Sequence, residues 1–138
     1  MKLSDLLRKD EGLRLKPYRD STGHLTIGYG RNLDDNGISE SEADILLQND
    51  IIKATQEINQ HLPVFYQLNE ARRAVLINMC FNMGLTTLLK FKNTLKCIEV
   101  GNYAEASRRM LFSKWAKQVG NRAKRLSDIM LTGEGLTL

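Results

Sequence analysis

The sequence is poor in several residue types, and each shortage closes off a class of protein. Among its 138 residues only two are cysteine, Cys80 and Cys97, and only two are histidine, His24 and His61. So few, so scattered, suit neither a disulfide scaffold nor a metal centre, and no metal is expected; the two thiols read as inert side chains. No run approaches the ~20 apolar residues a bilayer span requires. The start MKLSDLLRKDEG carries charges where a signal peptide needs an apolar stretch, so a soluble chain in a reducing cytoplasm is expected. There is no internal repeat and no low-complexity tract. What is present, 42% hydrophobic and 26% charged residues, is the composition of one ordinary globular domain. A chain of this length buries roughly two thirds of its unfolded surface, enough for a core without staples.

Charge is unevenly spread. Residues 1–70 hold 8 Lys/Arg against 12 Asp/Glu, whereas residues 71–138 hold 12 against 4. Seven basic side chains and no acid fall between Arg108 and Arg125, in RRMLFSKWAKQVGNRAKR. Such a run is either a solvated helical face or an attractor of a polyanion: nucleic acid, lipid headgroups or an anionic wall polymer.

Periodicity orders the chain. Ser4 is placed to cap a short helix with Leu3, Leu6 and Leu7 on one face and Gly12 as its stop. Glu11 then sits in the last helical turn, where the helix dipole disfavours an acid, so it should have a partner or a job. From Leu13 to Gly30 the pattern alternates around a DSTG turn (Asp20 to Gly23), which predicts a β-hairpin. Leu13, Leu15, Leu25, Ile27 and Tyr29 should share its core face, with His24, Thr26 and Gly28 opposite. Gly28 and Gly30 interrupt a good strand, a sign of close approach by a ligand or backbone. Ser39 and Glu42 form a capping box ahead of a long helix, with an apolar stripe from Ala43 to Leu62 and Pro63 after it. Ala71 to Met83 is apolar nearly all round, as for a central buried helix, and Gly84 ends it. Three amphipathic helices should follow, begun by Asn93, by Asn102 with Glu105, and by Asn121.

The expected architecture is α+β and mostly α-helical. A small hairpin-containing lobe (about 13–38) is joined by a linking helix (about 39–61) to a helical lobe (1–12 and 63–138), with a cleft expected between the lobes. Glu11 at a helix end and Asp20 at a hairpin turn can bring two carboxylates together, with Thr26 nearby. Glycoside hydrolysis requires such a pair, one to protonate the leaving oxygen and one to attack or to direct a water. By itself the pair is a weak signal, since an aspartate in DSTG also commonly bonds its own turn backbone.

The segment EGLRLKPYRDSTGHLTIGYGRNL, however, closely resembles the signature of phage-type lysozymes. The resemblance continues through ARRAVLINMCFNMG, FKNTL and SKWAKQVGNRAKR, and so covers essentially the whole chain. It implies a lysozyme-like fold, with Glu11 as general acid, Asp20 as the carboxylate that activates or steadies a water, and Thr26 as the hydroxyl that helps hold it. It places Arg122 beside Glu11 as a supporting ion-pair partner. A glycan would meet Gly30, Phe81, Asn82, Thr94 and Lys114. Phe81 is equally a candidate for the core, Asn78 and Asn82 for bonding backbone groups, and Trp115 reads as core.

Three departures from the T-even phage members matter. Arg31 and Asn32 stand where those have a histidine and an aliphatic residue, which puts any salt bridge there in doubt. The stretch from Leu33 to Ser39 is shorter, which predicts a small lobe reduced to its hairpin, with neither a third strand nor an intervening helix. Arg109 replaces a neutral amide.

The resemblance implies an endolysin-type muramidase that cleaves the β-1,4 bond between N-acetylmuramic acid and N-acetylglucosamine in peptidoglycan, with inversion. It would need no cofactor, act as a monomer, accumulate in the host cytoplasm and reach the wall through a holin-type pore. Its partners are glycan strands, with no nucleic acid and no stable membrane insertion. The rivals are a lytic transglycosylase, which has no use for a positioned water, and a membrane-disrupting protein acting through residues 108–125.

Overall fold

A computed structural model describes residues 1–138, which form nine α-helices and one three-stranded antiparallel sheet, the α+β class expected. The chain divides into two compact units, Met1–Leu47 and Gln48–Leu138.

The first unit opens with α1 (Leu3–Glu11), which begins two residues earlier than a Ser4 cap would set it: Lys2 is its cap and no side chain bonds its first turn. The sheet has the order β1 (Arg14–Arg19), β2 (Leu25–Gly28), β3 (Arg31–Asn32). Tyr18 pairs with Thr26 and Arg19 with Leu25 across the predicted hairpin; Thr26 pairs in turn with Asn32. The expected faces are corrected here. Thr26 is the buried residue of β2, only 2% exposed, while Leu13 and Leu15 are exposed. Thr26 lies on the central strand, covered by a neighbour on each side, and alternation read from one hairpin cannot reveal a third strand.

That third strand, and the four-residue helix α2 (Leu33–Asn36) after it, overturn the expectation of a bare hairpin. Asn32 makes the helix possible. Its side chain accepts from the Asp35 N–H at 3.0 Å and donates to the Asp35 carboxylate at 2.8 Å, closing one turn within the short connection. Arg31 does have a salt bridge: its guanidinium grips both oxygens of Glu42 at 2.9 and 2.7 Å and also donates to the Gly37 carbonyl. The capping box forms as predicted, with Glu42 N–H to Ser39 Oγ at 3.1 Å and Ser39 N–H to Glu42 Oε1 at 2.9 Å. Arg31 and two Ser39 groups thus hold the Glu42 carboxyl at a pKa of about 2.

The boxed helix is α3 (Glu40–His61), and the boundary between the units falls within it. Its apolar stripe is buried only in the second half, at Ala54 and Ile58, and Leu62 follows them into the core; Leu46 and Leu47 are exposed. In the second unit α4 (Glu70–Met83) is the buried helix expected, capped by Asn69 and ended by Gly84. Val75, Leu76 and Met79 pack with Phe65, Leu88, Ile98, Met110 and Met130 in one core. Around it lie α5 (Leu85–Leu89), α6 (Lys92–Glu99), α7 (Tyr103–Leu111), α8 (Lys114–Val119) and α9 (Asn121–Thr132). Asn102 caps α7 as predicted, but Asn93 and Asn121 fall inside their helices and cap nothing. No helix is long and apolar enough to cross a membrane.

Candidate active site

In the first unit, α1 ends at Glu11 because Gly12 adopts a positive φ of 69° that stops the helix and turns the chain into β1. The Glu11 carboxylate lies directly over Gly30, in the turn between β2 and β3. A Cβ on Gly30 would stand 2.6 Å from Glu11 Oε2, and its φ of 75° is one that glycine adopts freely. The interruption of the strand by glycine therefore marks the close approach of an acid from another element.

Asp20 is a turn residue and more. Its Oδ1 accepts three hydrogen bonds, from Thr22 N–H (2.9 Å), Thr22 Oγ1–H (2.8 Å) and His24 N–H (2.9 Å). These donors stabilise the carboxylate and hold its pKa below the usual value, the His24 N–H contributing most and the Thr22 hydroxyl next. No protein group bonds Oδ2. One oxygen thus closes the turn while the other stays available to a further partner.

Thr26 is tied to the same turn. Its hydroxyl donates to the His24 carbonyl at 2.8 Å, and that oxygen also accepts from the Asp20 N–H at 2.9 Å. With its proton so engaged, Thr26 Oγ1 meets any further partner as an acceptor. Sequence reasoning singled out all three residues. It passed over Thr22, and it weighed His24 only as a metal ligand, although the 20, 22, 24 spacing across a tight turn puts the three side chains on one side.

The remaining candidates lie in the second unit and do not form one cluster. Phe81 is 41% exposed, which takes it out of the core, and it lines a groove of about 240 Å³ with Asp50, Lys53, Glu57 and Leu85. Asn82 accepts from the buried Trp115 indole N–H at 2.7 Å, so it anchors the core residue that Trp115 was expected to be. Thr94 is buried at the edge of a basic groove of about 550 Å³ that includes Lys90, Lys92, Arg108, Arg109 and Phe112. Lys114 lines an adjoining groove of about 380 Å³ that shares Lys90 and Phe91. Arg122 donates through Nε to Asn78 Oδ1 at 2.9 Å and also to the Asn78 carbonyl. The basic run is partly neutralised, since Arg108 and Arg109 both pair with Glu105. Cys80 is buried, which raises its thiol pKa, and Cys97 is half-buried; neither is bonded to the other.

Comparison with known proteins identifies the family. Residues 8–128 match the phage lysozyme family. The chain is 34% identical to a probable T4-type lysozyme of Dictyostelium discoideum, covering 95% of this chain and 94% of that one. It is 32% identical to the pre-baseplate central spike protein of Enterobacteria phage T4, over 96% of this chain but 28% of that larger protein. It is 34% identical to an endolysin of Acyrthosiphon pisum secondary endosymbiont phage 1, over 81% of this chain and 75% of that one. The match takes in Glu11, the Asp20 turn and most of the second unit, so the chain belongs to the phage lysozyme family and is a glycoside hydrolase of the muramidase type.

Proposed function

We propose that this lysozyme cleaves the β-1,4 bond between N-acetylmuramic acid and N-acetylglucosamine by a single displacement, with inversion at the anomeric carbon. Glu11 donates its proton to the leaving glycosidic oxygen while a water attacks from the opposite face. Asp20 Oδ2 and Thr26 Oγ1 are both acceptors, so together they take the two protons of one water and leave its lone pair for the sugar. As the water attacks, its proton passes to Asp20. The observation that carries this reading is the division of roles on Asp20, with Oδ1 fixed by three donors and Oδ2 unbonded. A carboxylate held below its usual pKa suits a base that must stay ionised.

Gly30 lets the protein backbone approach the glycan, and the exposed ring of Phe81 offers an apolar wall. Thr94 and Lys114 contact the substrate from their grooves, and Asn82 contributes through the amide nitrogen that Trp115 leaves unused. The protein works as a monomer, without cofactor, in lysis of the host cell, crossing from the cytoplasm to the wall through a holin-type pore.

The test is digestion of purified Gram-negative murein by the wild type and Glu11→Gln, with analysis of the released ends and of the first-formed anomer. Reducing muramic ends of inverted configuration, lost in Glu11→Gln, are expected. Anhydro ends would make the protein a lytic transglycosylase, and a retained anomer would require a covalent intermediate on Asp20.

A further inference from the structure

The second unit holds a set of hydrogen-bond donors that the fold does not use. The cap of α6 is Phe91, whose side chain accepts nothing, so the N–H groups of Lys92, Asn93 and Thr94 have no acceptor in the protein. The Leu95 N–H is the first of the helix to find one, at the Phe91 carbonyl, 2.9 Å away. Thr94 adds an independent observation. It is only 5% exposed, yet its hydroxyl bonds no protein group, and the residue lines the basic groove of about 550 Å³. A buried hydroxyl left unbonded costs free energy that a bound acceptor would recover.

Four cations line the same groove: Lys90 and Lys92 at the start of α6, and Arg108 and Arg109 on α7. The acid that faces them is Glu105, which accepts from Arg108 Nε at 2.8 Å. Its Oε1 also lies 3.1 Å from Arg109 Nε, but off the N–H direction, so that buried Nε–H has no acceptor. One carboxylate against four cations leaves three positive charges unbalanced, and the dipole of α6 adds to their potential.

The donors select the kind of anion. Three N–H groups and a hydroxyl within one turn of helix present four donors. A carboxylate has two oxygens to offer them, and so has a phosphodiester in a lipid headgroup. A phosphate monoester has three free oxygens and nearly two charges at neutral pH, and a guanidinium such as Arg109 suits it. Phe112, 75% exposed at this groove, offers an apolar ring to whatever carries the phosphate.

We propose that this groove is a binding site for a phosphate monoester on a sugar of the envelope glycan. The phosphate oxygens accept from the first turn of α6 and from the Thr94 hydroxyl, Lys92 and Arg109 balance the charge, and Phe112 meets the sugar. The inference rests on the reading of Thr94 as a substrate contact and gives that contact a chemical identity. It would hold the enzyme on phosphorylated stretches of wall.

The experiment titrates the ¹⁵N-labelled full chain with N-acetylglucosamine 6-phosphate at pH 7.5, above the second phosphate pKa of about 6. Parallel titrations use N-acetylglucosamine and glucuronic acid, and phosphatidylglycerol vesicles are tested by co-sedimentation. The sugar phosphate should move the amides of Lys92, Asn93 and Thr94 saturably, the neutral sugar should leave them in place, and glucuronic acid should bind at least about tenfold more weakly. Thr94→Val and Arg109→Gln should each weaken the sugar phosphate about tenfold to hundredfold, what loss of one hydrogen bond to a charged group produces. Dispersed amide spectra will show that each variant is folded. Unmoved amides in the wild type would overturn the proposal, as would equal affinity for glucuronic acid or wild-type affinity in both variants. Capture on vesicles without binding of the sugar phosphate would make the groove a membrane contact and overturn it too. Murein digestion by the same wild-type sample separates the premise from the inference. If murein is cleaved and the sugar phosphate does not bind, only the groove assignment fails; if the sugar phosphate binds and murein stays whole, only the lytic reading fails.

Discussion

Replacing Gly30 by alanine isolates the contact between Glu11 and the β2–β3 turn. The new Cβ would lie 2.6 Å from Glu11 Oε2, where ordinary contact begins near 3.4 Å, so the carboxylate must move by about 0.8 Å. A side chain can swing aside, and the clash itself should do little to stability. Backbone strain is a separate matter: φ at Gly30 is 75°, and a residue with a Cβ pays roughly 1–2 kcal/mol there. Gly28 is the control. Its φ is 71°, but a Cβ there meets nothing within 4 Å, so Gly28→Ala carries the strain without the clash. Both variants should lose about 1–2 kcal/mol in denaturant unfolding. They should part in activity: displacing the acid by this much should lower kcat/KM for murein about tenfold to hundredfold in Gly30→Ala, with a much smaller change in Gly28→Ala. If the two keep equal activity, the Glu11 carboxylate does not act from its place over Gly30, and the assignment of the general acid loses its geometric basis.

Other consequences follow from the same contacts. Glu42 titrates near 2 in the fold against 4.5 unperturbed, so it contributes stability that is present above about pH 4.5 and is lost as pH falls toward about 2. In Arg31→Met this contribution shrinks, and the thermal midpoint should fall less steeply across that window than in the wild type. Asn82→Leu leaves the buried Trp115 indole N–H without its acceptor and should cost about 1–3 kcal/mol by denaturant titration, with a change in Trp fluorescence. Ser39→Ala removes the side-chain half of the capping box, and should lower stability by about 1 kcal/mol.

Sequence reasoning served best where one strong local signal decides the structure. The apolar sweep from Ala71 to Met83, the Ser39–Glu42 box and the DSTG turn each specify their element without outside help, and each formed as read. It served worst where two local signals compete or where the partner is distant. Asn93 and Asn121 look like caps, yet their helices begin one residue earlier and at the asparagine itself. The short Leu33–Ser39 connection argued against further structure, but Asn32 needs only one turn of chain to bond Asp35 at both ends. Arg31 finds Glu42 eleven residues away, beyond the reach of any spacing rule.

The same distinction explains what could be known of the site. The positions of Glu11 and Asp20 were legible because each stands at a punctuation point, a helix end before Gly12 and a turn before Gly23, where a charged side chain is exposed whatever the fold does with it. The state of Asp20 was not legible. It depends on which of its oxygens the turn consumes, and that follows from the Thr22 and His24 donors converging on Oδ1. Thr26 was placed on the wrong face for a related reason: its strand is the central one, paired on its far side with β3, whose last residue, Asn32, caps the turn of helix that follows. Thr26 is thus paired directly with the residue that caps α2, six positions downstream. A change at Asn32 that abolishes α2 should therefore loosen Thr26 without touching the core of the second unit, and would lower activity before it lowers the stability of that core.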